Sequence, residues 1–133
     1  MKKAAFRESP HCELGQTKSI EIDIVTLDEY SKLMDLQSVD IIKIDVEGFE
    51  EEALKGSENL IQRSSDIILC MEYTRDCYSN DFLPWLKKLF SKVYLPKFNR
   101  QINFEFLRKY QEHETLHSEP YLDVVLIRGR RFA

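Results

Sequence analysis

Two apolar runs, "DIIKIDV" and "DIILCMEY", constrain this chain more than anything else in it. Both are apolar at most positions, which in a parallel sheet means cover on both faces. The second is the most apolar stretch of the chain, so a central place in the sheet is expected for it. Between the runs, a helix through "FEEEALK" is ended by Gly56, and Ser57 is placed to cap a further turn containing Leu60 and Ile61. A strand, a helix and a strand in that order require a crossover, and a crossover joins parallel strands.

The flanking segments extend the same alternation. "SIEIDIV" places Ile20, Ile22 and Ile24 opposite Glu21 and Asp23, the period-two pattern of an edge-like strand with one dry and one wet face. In "TLDEYSKLM", Thr26 and Glu29 stand at capping-box spacing, and Leu27, Tyr30, Leu33 and Met34 recur at helical intervals. "SNDFLPWLKKLF" reads as a helix capped by Ser79, Asn80 or Asp81, with Pro84 in its first turn and Phe82, Trp85, Leu86, Leu89 and Phe90 on its inner side. "KVYL" and "YLDVVLIRG" are two further strands. The stretch from Pro96 to Pro120 has no clear period, although "INFEFLRKY" suits a strand running into a helical turn. Residues 1–18 mix Pro, Gly and charges without a period and read as an N-terminal arm, ahead of one domain over 19–133. The fold class is therefore α/β, with a mainly parallel sheet.

Composition removes several function classes. At 133 residues the chain has room for one core of ordinary size. A net charge of -4, with one basic cluster at the end "RGRRFA", gives no overall attraction to nucleic acid or to an anionic membrane. No run approaches the ~20 apolar residues of a membrane span, and no signal-peptide core follows Met1, so the expected location is the cytoplasm. Three cysteines, with no C-x-x-C pair, write no disulfide framework, and Cys70 sits in an apolar run as a small hydrophobe.

Carboxylates mark the candidate site. Asp45 and Glu47 end the first apolar run, with Gly48 directly behind them, and Glu72 ends the second. In open α/β sheets the loops diverge at the carboxyl ends of parallel strands and leave a crevice. Neighbouring strands lie ~4.8 Å apart, close enough for the three carboxylates to share it. The competing reading makes Asp45 and Glu47 caps of the following helix, whose first turn also holds Glu50, Glu51 and Glu52.

These residues carry a resemblance. "VTLDEY", then "IIKIDVEGFEEEALKG", then "IILCMEY" is similar to the FkbM family of S-adenosylmethionine-dependent methyltransferases, whose hallmark is a strand reading I-K-I-D-V-E-G and a helix ending L-K-G. The resemblance implies a Rossmann-like methyltransferase sheet, mainly parallel, whose last strand is antiparallel and inserted beside the fifth. It also implies methyl transfer to a hydroxyl of a small metabolite or glycan. Asp45 and Glu47 would line the cleft from the fourth strand and Glu72 from the fifth, all three as catalytic residues, with Asp45 as the candidate base. A cluster of carboxylates without His also suits a hard cation such as Mg²⁺, a role ranked behind that of base, so no metal is expected.

The cofactor implied by the resemblance is S-adenosylmethionine, held in such enzymes on a glycine-rich turn after the first strand and an acidic residue ending the second. This chain has four glycines, Gly15, Gly48, Gly56 and Gly129, and no G-x-G. The expectation is accordingly the C-terminal half of the domain, lacking its first three strands and inactive by itself. Its expected partners are an N-terminal lobe or a second copy, since the strand Ile41–Val46 would otherwise expose an unpaired edge. A non-catalytic interaction module on the same sheet is the alternative.

Two rival motifs are weaker. "HETLH", His113 to His117, fits H-E-x-x-H, but Pro120 follows closely and no further His or Cys supplies a third zinc ligand. His11 and Cys12 stand together in the unpatterned arm and read as surface residues.

Overall fold

The computed structural model describes residues 2–4, 22–112 and 121–130. The "HETLH" motif, His11 and Cys12 lie outside them, as does most of the 1–18 arm. In chain order the elements are β1 (Lys2–Ala4), β2 (Ile22–Ile24), α1 (Leu27–Leu33), β3 (Ile41–Ile44), α2 (Glu50–Lys55), α3 (Glu58–Arg63), β4 (Ile67–Thr74), α4 (Phe82–Leu89), β5 (Lys92–Leu95), β6 (Arg100–Ile102), α5 (Phe104–Glu112) and β7 (Tyr121–Arg128). A short 3-10 turn, Pro96–Phe98, links β5 to β6.

The main sheet has five strands in the order β3-β4-β7-β5-β6. The expected parallel pair is present, with Ile41 beside Ile68 and Ile44 beside Met71. The sheet as a whole is mixed, since the other three pairings are antiparallel. The reason is topological: β3, β4 and β5 point the same way, but β7 enters between β4 and β5 in the opposite sense. One insertion thus replaces a parallel contact with two antiparallel ones, and the β5–β6 hairpin adds the third. β7 takes the middle position expected for "DIILCMEY", which lies beside it as β4.

One continuous core joins the sheet to its helices. Along β4, Ile67, Leu69, Met71 and Tyr73 are buried, facing Leu126, Val124 and Leu122 of β7 in register. Leu54 and Ile61 of α2 and α3, Phe82, Leu83 and Leu86 of α4, and Leu107 and Tyr110 of α5 complete the cluster. The alternate residues of β4, among them Ile68, Cys70 and Glu72, are only half buried. The described residues therefore cover one face of the sheet well and the other incompletely. β3 shows the same shortfall, with Ile41 62% exposed.

Two local expectations change. β2 leaves the main sheet and pairs antiparallel with β1, where Ile22 and Ile24 are exposed, so the dry face promised by its alternation is not formed by the described residues. Ser57 precedes α3 but does not cap it; its hydroxyl donates to the Leu54 carbonyl at 2.7 Å. The cap comes from Asp28 of α1, whose carboxylate accepts from the Asn59 and Leu60 amides at 3.1 and 2.8 Å. Thr26 and Glu29 form the expected capping box at the start of α1. Through its cap, Asp28 ties α1 to the crossover helices.

Candidate active site

β3 and β4 deliver Asp45 and Glu72 to the same end of the sheet. The parallel register pairs Ile44 with Met71, so one step further Asp45 comes level with Glu72. The antiparallel register pairs Glu72 directly with Asp123 of β7. Residues level across a sheet project from the same face. Asp45, Glu72 and Asp123 therefore form a row across three neighbouring strands, on the half-covered face, with Glu72 in the middle.

The electrostatics follow from that row. Burial, joined by the charges of Asp45, Glu47, Asp123 and Glu50, pushes the Glu72 carboxyl above the ordinary glutamate range. Asp45 sits differently: its side chain is 54% exposed and lies 3.5 Å from the Lys43 ammonium. Desolvation and neighbouring like charge thus favour a held proton on Glu72.

The turn that carries Glu47 has an unusual backbone. Glu47 and Gly48 have φ of 52° and 95°, and the Phe49 amide closes the turn on the Val46 carbonyl at 3.3 Å. Positive φ at both central residues belongs to a mirror-image β-turn, which glycine adopts freely and a glutamate does not. The residue holding the turn is Glu50, only 1% exposed. Its carboxylate accepts the Val46 amide at 3.1 Å and the Gly48 amide at 3.1 and 3.3 Å. Neither Asp45 nor Glu47 caps α2, since the helix starts at Phe49 with no side-chain cap. The competing role for these two carboxylates is therefore not the one they play.

A second buried carboxylate joins this turn to the loop after β4. Glu51, 6% exposed, accepts from the Ser79 amide at 2.7 Å and from the Ser79 hydroxyl and the Lys55 ammonium at 2.5 Å each. Burial alone would raise its carboxyl, but the hydrogen bonds from Lys55 and Ser79 outweigh that and hold it below the ordinary glutamate range. The Tyr78 hydroxyl donates to the Glu72 carbonyl at 2.9 Å and accepts the Thr74 amide at 3.2 Å, pinning the end of β4.

Glu50, Glu51 and Asp123 were not singled out as site residues in the sequence. Glu50 and Glu51 look like ordinary acids in a first helical turn, and Asp123 becomes relevant only through the β7 register. Among the described residues, no group of three or more His, Cys, Asp or Glu is placed to hold a metal ion. A hollow of about 130 Å³ opens beside Asp123, lined by Leu95, Lys97, Phe98 and Tyr121 as well.

The methyl donor that the resemblance implies finds only part of a seat among the described residues. Gly48 is the one described glycine with open space where a side chain would stand, and it lies in a single turn edged by carboxylates. Acidic strand ends suit the positive sulfonium and ammonium groups, but no described turn offers the glycine-rich cradle or the ribose partner that a nucleoside needs. The described residues alone do not fit the whole cofactor.

No helix among the described residues is long and apolar enough to cross a membrane. Comparison with known proteins finds no match among curated proteins and none among solved structures. The family model described as the methyltransferase FkbM domain matches residues 3–113, which takes in the arm, the Asp45 turn, the Glu72 strand and everything up to the end of α5. With five-sixths of its length matched, and with the I-K-I-D-V-E-G strand ending in the geometry above, the chain belongs to the FkbM methyltransferase family.

Proposed function

We propose that this chain supplies the acceptor side of an S-adenosylmethionine-dependent O-methyltransferase, acting on a hydroxyl of a small metabolite or glycan. Glu72 takes the hydroxyl proton as the oxygen attacks the methyl group. Asp45, Glu47 and Asp123 keep Glu72 basic by their charge and line the place where the acceptor stands. The observation that carries this reading is the convergence of carboxylates from β3, β4 and β7 on Glu72, whose carboxyl is raised toward the range a general base needs. The donor's seat comes from a partner lobe outside this chain. By itself the chain is then inactive.

Calorimetry with millimolar S-adenosylmethionine and an NMR screen of hydroxylated acceptors test the reading. No saturable heat is expected from the donor, while acceptors move the amides of Val46, Gly48 and Glu72. Micromolar donor binding would overturn the acceptor-side assignment. Acceptors that leave all three amides unmoved would overturn the site itself.

A second reading, an interaction module pairing with another copy of this chain, rests on the margin of the sheet. Among the described residues β3 has a neighbour on one side only, and its first residue, Ile41, is exposed. An antiparallel pairing of two β3 strands centred on Ile44 sets Lys43 opposite the second copy's Asp45, so charge favours that register. Light scattering at tens of micromolar should then give the mass of a homodimer, and a stable monomer would remove this reading.

A further inference from the structure

We infer that Glu50 is the positioning residue of this site: its buried carboxylate, bound to the Val46 and Gly48 amides, holds Glu47 in a left-handed conformation and so sets Glu47 toward Glu72. Three observations meet here. Glu50 is nearly inaccessible, yet its carboxylate has partners for both oxygens within one turn. No side chain caps α2, so Glu50 is turned back onto the preceding backbone. Glu47 occupies a positive φ that is strained outside glycine and persists only where neighbours enforce it. The amides that enforce it flank Glu47 on either side, and Glu50 gathers both.

The arrangement explains why two acids three residues apart play unequal roles. Both Glu50 oxygens are taken up by the Val46 and Gly48 amides and the side chain is buried, so Glu50 shapes the turn and offers a substrate no open face. Glu47 is exposed, and among the described residues nothing anchors it in this way. The inference rests on reading Asp45, Glu47 and Glu72 as one site, but its test reads backbone exchange and proton binding. A failed methyl-transfer assay would therefore leave it standing, and its own failure would leave that assay untouched.

The test uses the full labelled chain and NMR. In Glu50→Ala, the Val46 and Gly48 amides should exchange about tenfold faster or more, the effect of losing charge-assisted hydrogen bonds, while the core amides of Leu69 and Leu126 keep their protection. In the Glu50 chain, Glu47→Gln should lower the titration midpoint of Glu72. In the Glu50→Ala background the same substitution should leave that midpoint nearly unchanged, because Glu47 is no longer held beside it. Unaltered exchange at both amides, or an equal Glu47→Gln shift in both backgrounds, would overturn the inference. Should Glu50→Ala fail to fold, as lost protection at Leu69 would reveal, Glu50→Gln takes its place. Gly48, which bonds both oxygens, should then lose more protection than Val46, which bonds one; equal exchange at the two would overturn the inference.

Discussion

Two strand-to-helix junctions meet at the same end of this sheet and are built in opposite ways. The junction after β4 is stapled into the core: Tyr78 is 8% exposed, and its ring lies 5.0 Å from that of Tyr73 and 4.6 Å from that of Phe82. Burial pushes its phenol up to about 12, so its hydroxyl stays a donor across the physiological range. Beyond it, Arg75 lies over the Tyr110 ring at 4.6 Å and donates to the Tyr110 carbonyl. Among the described residues the junction after β3 has no aromatic anchor; Phe49 is 66% exposed, and the Glu50 carboxylate holds the turn. The contrast teaches that the site joins a rigid wall bearing Glu72 to a turn whose shape depends on polar contacts.

Substitutions can break that contrast, beginning with the rigid side. Tyr78→Ala removes a core ring and should destabilise the chain by about 3–5 kcal/mol in urea unfolding, whereas Tyr78→Phe, losing the hydroxyl alone, should cost about 1 kcal/mol. A small loss in Tyr78→Ala would mean the β4 junction is no better anchored than the other.

Glu51→Ala cuts the Glu51–Ser79 link between the two junctions and leaves Ser79 without this acceptor; about 2 kcal/mol is expected. The pH dependence has a definite sign. Because the folded Glu51 carboxyl lies below its unfolded value, its contribution is complete above the unfolded value and is lost as pH falls through the folded one. The stability difference between wild type and Glu51→Gln should therefore shrink on acidification, and one that stays constant would remove the charged link.

On the polar side the expected effects are smaller. Gly48→Ala meets no atom within 4 Å, so its cost is backbone strain alone, about 1 kcal/mol by thermal melt. Asp45→Asn, exposed and outside any cap, should change stability by less than about 0.5 kcal/mol. In an enzyme with a donor seat it should nevertheless lower turnover, which steady-state kinetics would report. A large stability loss with turnover intact would move Asp45 to the structural side.

Legibility in the sequence follows the same division. β4, β7 and α4 are written in strong local patterns, because a buried face must be apolar wherever it is packed. Asp45, Glu47 and Glu72 stand out for the complementary reason: each is a charge at the end of an apolar run, where a chain selected only for burial has no use for one. β6 and α5 were less legible. The β5–β6 hairpin turns on Asn99 at φ 46° and pairs strands of only three or four residues, too short for a period to emerge. Asp123 alternates with buried Leu122 and Val124 like any outward residue of a strand, and only the insertion of β7 beside β4 brings it level with Glu72. Glu50 is hidden because its role depends on which backbone amides its side chain reaches, and an acid in a first helical turn looks the same whichever those are.

The measurement that bears most directly on this account is the carboxyl titration of Glu72, followed by ¹³C NMR in wild type, Asp45→Asn and Asp123→Asn. A raised folded value favours the protonated form, so Glu72 should support the fold below its unfolded value and oppose it as pH rises through the folded one. The wild-type midpoint is expected above the ordinary glutamate range, and each neutralised neighbour should bring it down. A midpoint in the ordinary range, indifferent to both substitutions, would show that the three strand ends do not converge and would contradict the site.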